Sequence, residues 1–164
     1  MAQNQREVYS LNGSQLASDN TFIAYTGTNN AFYIGNQLTG GDASNSPFDG
    51  YFAELIIIDE SVSLTYHQQI QTYLGIKYGL RLGHNYISPD SVILYDISNG
   101  YANGIFGIGR SKCFDFNQTK SKSESDYSGV TIETTLEIGD ESYLMIGHDG
   151  AALTRVSLAG ETNV

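Results

Sequence analysis

Residues 48–80, FDGYFAELIIIDESVSLTYHQQIQTYLGIKYGL, join a turn, an apolar run and a capped helix at fixed spacing, and few folds accommodate that combination. Asp49-Gly50 is a turn signal ahead of a stretch rich in β-branched and aromatic residues, Tyr51 to Ile58. Ala53, Leu55 and Ile57 alternate with Phe52, Ile56 and Ile58, so both faces are apolar, the pattern of a strand covered on both sides. Glu54 alone breaks it. Ser63 is placed to cap the helix that follows, because its hydroxyl can accept from a free N–H of the first turn. Tyr66, Ile70, Tyr73, Leu74 and Lys77 then recur at helical spacing and predict a packed stripe over a helix at about 64–78. Lys77 can pack its stem and keep its ammonium in water near the helix end, and Gly79 supplies a left-handed stop.

The F-x-G-x-x-A-E-L-I-I-x-D run (Phe48 to Asp59) and the S-x-x-x-x-Q-Q-I-x-x-Y-L-x-x-K-Y-G-L run (Ser63 to Leu80) resemble the C-terminal end of laminin G-like, concanavalin A-like domains of large bacterial surface proteins. Tyr66 stands where that family usually has a capping-box Glu, which removes reciprocal capping and leaves the helix itself expected. The resemblance implies a jelly-roll sandwich of which residues 1–82 are the C-terminal portion.

Around that stretch the composition suits a β protein with many turns. There are 18 Gly and 2 Pro, and 12 Tyr with 7 Phe serve as the large packing residues. A formal charge of −10 leaves no basic face to neutralise phosphates, which argues against nucleic acid or an anionic membrane as partner. No apolar run approaches the roughly 20 residues of a membrane helix. Residues 1–20 lack the regions of a signal peptide, so an export signal is expected outside this chain. The lone Cys113 excludes an internal disulfide framework.

Taken in order, Arg6 to Leu11 alternates and ends at Asn12-Gly13, a hairpin turn. Thr21 to Tyr25 and Ala31 to Gly35 read as short strands, and residues 36–47 as a polar surface loop. Three short strands, the apolar run and one helix are too few for a whole sandwich, since an immunoglobulin-type one takes roughly 100 residues. The first domain is therefore expected to be incomplete. Beyond His84, strands are predicted at Tyr86-Ile87, Ser91 to Ile97, Gly104 to Arg110, Phe114 to Gln118 and Tyr143 to Gly147, with a Ser/Lys-rich loop from Thr119 to Ser128. Val130 to Ile138 alternates over its whole length and predicts a strand with one wet face.

The D-x-x-x-x-Y-x-N-x-I-x-G-I-G-R run (Asp96 to Arg110), the N-Q-x-x-S-K-S run (Asn117 to Ser123) and the G-H-D-G-A-A-L run (Gly147 to Leu153) are similar to an uncharacterised β-rich module that follows laminin G-like domains in secreted proteins of Bacteroidetes, many with type IX sorting domains. The two resemblances span nearly all of residues 30–153. They imply a mainly β chain, an antiparallel sandwich with one helix followed by a second small β-sandwich module over 84–164, itself truncated, in an extracellular or cell-surface protein.

Several residues invite a chemical reading. His148-Asp149-Gly150 offers the His-Asp pair of metal phosphohydrolases, yet only His67 and His84 remain as further imidazole ligands, and a polar turn closing a strand accounts for it better. Gly104, Gly107 and Gly109 have the wrong order for a dinucleotide loop, and bulges or close backbone approach fit better. Glu54, a carboxylate inside an apolar strand, could act as an acid or base, but Asp59 falls on the opposite strand face and no partner is visible. Asp42, Asn45 and Asp49 could supply oxygen ligands to calcium, although their spacing matches no EF-hand and a solvated loop suffices. Thr119 to Ser123 is a basic island too small for a nucleic-acid footprint, and Glu124 and Asp126 cancel its two lysines. Tyrosines could stack sugars, and the absence of Trp weakens that idea.

The sequence thus points to a non-catalytic module engaged in adhesion, carbohydrate recognition or spacing, with glycans, surface proteins or neighbouring domains as partners, no cofactor and no membrane insertion. The alternative is an accessory carbohydrate-binding module of a polysaccharide-degrading enzyme.

Overall fold

A computed structural model describes residues 7–19, 49–58, 60, 62–123 and 129–151. The chain divides into two compact units, one of residues 1–6 and 20–61 and the other of residues 7–19 and 62–164. The strands expected at Thr21 to Tyr25 and Ala31 to Gly35, and the loop at 36–47, lie outside the described residues.

In the first unit the expectation for Tyr51 to Ile58 is corrected. The run has no helix or strand assignment, and Tyr51, Phe52, Leu55 and Ile57 are each more than half exposed. Alternation of apolar residues creates the capacity for two-sided burial, but burial itself needs covering layers, and the described residues of this unit supply none.

The second unit is mainly β, antiparallel in every pairing, and carries one α-helix. That helix, α1, runs Leu64–Tyr78, as the cap residues predict. Ser63 Oγ accepts from Tyr66 N at 3.1 Å, and Gly79 turns left-handed at φ 66° and ψ 29° to end it. The buried stripe is rotated from the expected one: Gln69, Ile70, Thr72, Gly75 and Ile76 are buried, whereas Tyr66 and Lys77 are exposed. Gln69 and Thr72 win the inner face because their polar groups find backbone partners in residues 87–89. Gly75 is required by close approach, since a Cβ would lie 2.9 Å from the Tyr86 ring.

Strands β1 (Glu7–Leu11) and β2 (Ser14–Asp19) form a hairpin whose turn residues Asn12 and Gly13 have φ of 48° and 79°. This is the left-handed pair that a two-residue hairpin loop needs, and β2 adds a strand beyond those the sequence predicts. β3 (Tyr86–Ile87) pairs with β4 (Ile93–Tyr95). The strand expected to run to Ile97 stops earlier, because Asp96 Oδ1 accepts from Ser98 N at 2.9 Å and caps a short 3₁₀ turn over Ile97–Asn99. β5 (Asn103–Ser111) is the centre of a three-stranded sheet between β6 (Phe116–Gln118) and β9 (Ser142–His148).

β7 (Lys120–Lys122) and β8 (Thr131–Glu133) make a further hairpin. It replaces part of the loop expected at Thr119 to Ser128 and shortens the strand expected at Val130 to Ile138. Thr134 explains the shortening: its N–H still reaches Thr119 O at 3.0 Å, but its hydroxyl then accepts from Leu136 N at 3.1 Å and turns the chain out of the ladder.

α1 and the β3–β4 hairpin pack on the β6-β5-β9 sheet, giving a sandwich-like arrangement. Ile76, Leu82, Tyr86, Ile105 and Phe116 form the core, ringed by Tyr73, Leu94, Tyr95, Phe114, Tyr143 and Met145 among others. The helix that the sequence assigns to the end of the first domain is therefore integrated with the strands that follow it.

Candidate functional site

The helix is fastened at both ends of its inner face. Gln69 Nε2 donates to Ser88 O at 3.0 Å and to Pro89 O at 2.7 Å, and Ile87 N donates to Thr72 Oγ1 at 3.0 Å, which ties α1 to the β3–β4 hairpin. Near the C-terminus of α1, Gln118 Nε2 donates to Ile76 O at 3.2 Å and to Gly107 O at 2.7 Å, bridging helix and sheet from β6. Tyr86 seals the centre. It is fully buried, its hydroxyl donates to Leu80 O at 2.5 Å and accepts from Leu82 N at 3.3 Å, and burial pushes its phenol up to about 12.

This bridging places the last turn of α1 beside β7. Lys77, Tyr78, Gly79, Gln118, Lys120, Ser121 and Lys122 line an open groove of about 350 Å³ there. The Lys77 ammonium donates to Tyr73 OH at 2.5 Å and lies 4.8 Å from the centre of that ring and 5.5 Å from that of Tyr78. Cation–π attraction of this kind fixes the direction of an otherwise flexible side chain. Lys120 pairs with Glu133 across the hairpin at 2.8 Å, and Lys122 is exposed. The groove is therefore polar and cationic, with an aromatic residue in its wall.

A second space lies between α1 and the sheet, lined by Tyr73, Ile76, Ser111, Phe114, Phe116 and Tyr143 among others, and has a volume of about 10 Å³. That is room for about one water. Ser111 Oγ is buried beside it. Tyr143, also there, has its ionisation pushed up, mainly by burial, with the nearby Ser111 hydroxyl pulling the other way.

His148 Nδ1 accepts from Gly150 N at 2.9 Å and Asp149 Oδ1 from Ala151 N at 2.9 Å, so His148-Asp149-Gly150 is a self-bonded turn closing β9. Gly104 has φ 53° at the register shift between Asn103 and Phe106, a bulge of β5 that a side chain would strain. Gly107 and Gly109 sit in the same strand against the backbone and ring atoms of β9. Glu54 is exposed, so it does not stand inside an apolar layer. Asp49 is exposed in the first unit, while Asp42, Asn45 and Asp59 lie outside the described residues.

Two associations are not legible in the chain order. Gln71 stands between His84, with Oε1 at 2.7 Å from Nε2, and His67, with Nε2 atoms 3.4 Å apart. The tip of the β1–β2 hairpin closes on this network through Gly83 N donating to Asn12 O at 2.8 Å. The other is the meeting of Lys77 with the basic island at 119–123, for which the only hint is the alternation of Lys120 and Lys122. Among the described residues, no three His, Cys, Asp or Glu stand together as a metal site, and no helix is long and apolar enough to cross a membrane.

The class is thus a small, mainly β module with one helix bolted to an antiparallel sheet. The family described as "Domain of unknown function (DUF8202)" matches residues 66–164, more than half of the chain, and the chain belongs to that family. No curated protein and no solved structure matches it.

Proposed function

We propose that this chain is a recognition module of a secreted or cell-surface bacterial protein, non-catalytic itself, that meets carbohydrate through the groove between the end of α1 and β7. One observation carries the reading. An open groove of about 350 Å³, walled by ammonium groups, the Gln118 amide, the Ser121 hydroxyl and Tyr78, has the size and the donor set of a small-ligand site. Sugars present hydroxyl oxygens to such donors and an apolar ring face to an aromatic side chain. The resemblance of Ser63 to Leu80 to laminin G-like surface domains supports the same reading, since its cap residues, Ser63 and Gly79, act as caps here.

A glycan array probed with the whole chain tests it. Binding to a defined set of glycans that is lost in Tyr78→Ala and Lys122→Gln is the expected result. Binding to no glycan, or binding untouched by both substitutions in folded protein, refutes the role.

A further inference from the structure

We propose that Asn99 is a site of spontaneous covalent modification, where the side-chain amide is lost to give aspartate or isoaspartate, and that the fold promotes this reaction at Asn99 while restraining it at the other Asn-Gly pairs. The chain has three such pairs, Asn12-Gly13, Asn99-Gly100 and Asn103-Gly104. A glycine after asparagine leaves the main-chain nitrogen unshielded by any Cβ, so the three are chemically alike in an unfolded chain. Tertiary structure separates them.

At the first of these to react, Asn99 Oδ1 accepts from Tyr101 N at 2.8 Å. This is the turn in which a short amide side chain folds back along its own main chain, and it brings the amide carbon over the intervening Gly100 nitrogen. Both residues are exposed. Gly100 turns left-handed at φ 87°, and a Cβ built there would meet nothing within 4 Å, so solvent base has open access. The Gly100 nitrogen gives up its proton to that base and attacks Cγ of Asn99. Negative charge then develops on Oδ1, the atom that the Tyr101 N–H already faces. The bond from Cγ to Nδ2 breaks, Nδ2 takes a proton from water and leaves as ammonia, and a cyclic succinimide remains. Water opens that ring at either carbonyl, giving aspartate or isoaspartate, and solvent is the only co-reactant.

The other two pairs are held. Asn12 O accepts from Gly83 N at 2.8 Å, and a Cβ on Gly13 would lie 2.6 Å from His84 Cδ2, so the docked hairpin tip resists the peptide rotation that attack requires. Asn103 Oδ1 accepts from Arg81 Nη1 at 3.2 Å and its Nδ2 donates to His148 O at 3.4 Å. Asn103 also stands opposite His148 in the β5–β9 ladder, and a Cβ on Gly104 would lie 2.7 Å from His148 Nε2. Reaction there needs the end of the strand pair to come apart. The isoaspartyl product at position 99 lengthens the main chain just ahead of Tyr101, whose carbonyl accepts from Tyr95 OH at 2.7 Å, and so loosens that bond.

The test incubates the whole chain in mildly alkaline buffer, with and without concentrated urea, and follows each pair by peptide mapping. Mass spectrometry reads the conversion of amide to acid. In the folded chain Asn99 should convert about tenfold faster than Asn103, the lower end of what one hydrogen bond to a charged oxygen supplies, and faster than Asn12. In urea the three rates should converge, with Asn99 slower than in the folded chain. A folded chain in which Asn12 or Asn103 matches or outpaces Asn99 overturns the proposal, because the fold then selects nothing in its favour. A rate at Asn99 that urea raises or leaves unchanged overturns it as well, because the turn then does not promote the reaction.

Discussion

Removing one oxygen, Tyr86→Phe, tests the account of the core most directly. The Tyr86 hydroxyl joins Leu80 O and Leu82 N, two backbone groups of the segment that leaves α1, and Leu82 is itself buried. Phe fills the same space but strands the buried Leu82 N–H, and an orphaned buried donor costs about 1–3 kcal/mol. We expect a loss of about 2 kcal/mol near pH 8, or a fall in Tm of about 10 °C for a domain of this size. The same hydroxyl carries a pH signature. Its pKa is raised from 10.0 to about 12 by burial first, with the Leu82 hydrogen bond and Arg81 pulling down and Tyr95 pushing up.

Below pH 10 the phenol is protonated in both folded and unfolded chains, and its contribution is constant. Between pH 10 and about 12 the unfolded chain releases this proton while the folded chain keeps it, so stability falls as pH rises, by at most about 1.4 kcal/mol per pH unit. The Tyr86→Phe variant has no such proton to release. The gap between the two proteins in urea unfolding should therefore be widest near pH 8 and shrink towards zero near pH 11.5, while the other tyrosines and the lysines titrate alike in both. A gap that stays constant across that range, or is absent at pH 8, refutes the assignment of Tyr86 as the buried bolt.

Three further outcomes follow from particular contacts. Ser63→Ala removes the acceptor for Tyr66 N and should cost about 1 kcal/mol in urea unfolding, with Ser63→Asp retaining most of the stability. Gln69→Leu leaves the Ser88 and Pro89 carbonyls without their amide donor, and hydrogen exchange in the β3–β4 hairpin should quicken while β5 and β9 stay protected, a pattern that uniform quickening would contradict. Asp140 is held below the usual carboxylate range, first by the Lys112 backbone N–H at 2.8 Å. What it adds to stability is present above the ordinary Asp pKa and lost as pH falls through the lowered value; carbon-13 titration should place Asp140 below the ordinary Asp range, and Lys112→Pro should raise it.

Features decided within a few residues can be read from the chain in advance. Ser63 reaches three residues to Tyr66 N, Gly79 adopts a left-handed conformation that only a residue without Cβ takes freely, and Asn12-Gly13 twists as a tight hairpin requires. The apolar run Tyr143 to Gly147 and the run Gly104 to Arg110 are likewise read as strands from the chain, and both belong to the central sheet. Thr134 shows the limit even of local reading: its alternation promises a longer strand, and one hydroxyl-to-backbone bond ends it.

Burial and convergence depend on what arrives from elsewhere in the chain. Tyr51 to Ile58 has the composition of a covered strand and is exposed, because apolar residues lower their free energy only against a surface that other segments provide. Gln69 and Thr72 look like the outer face of α1 and lie inside, since the carbonyls and N–H groups of residues 87–89 meet them there. Lys77 and Lys122 share a groove because Gln118 draws the helix end onto the sheet. Caps and turns are short-range hydrogen-bond geometry, legible residue by residue, whereas which face is wet and which charges meet is set by long-range packing.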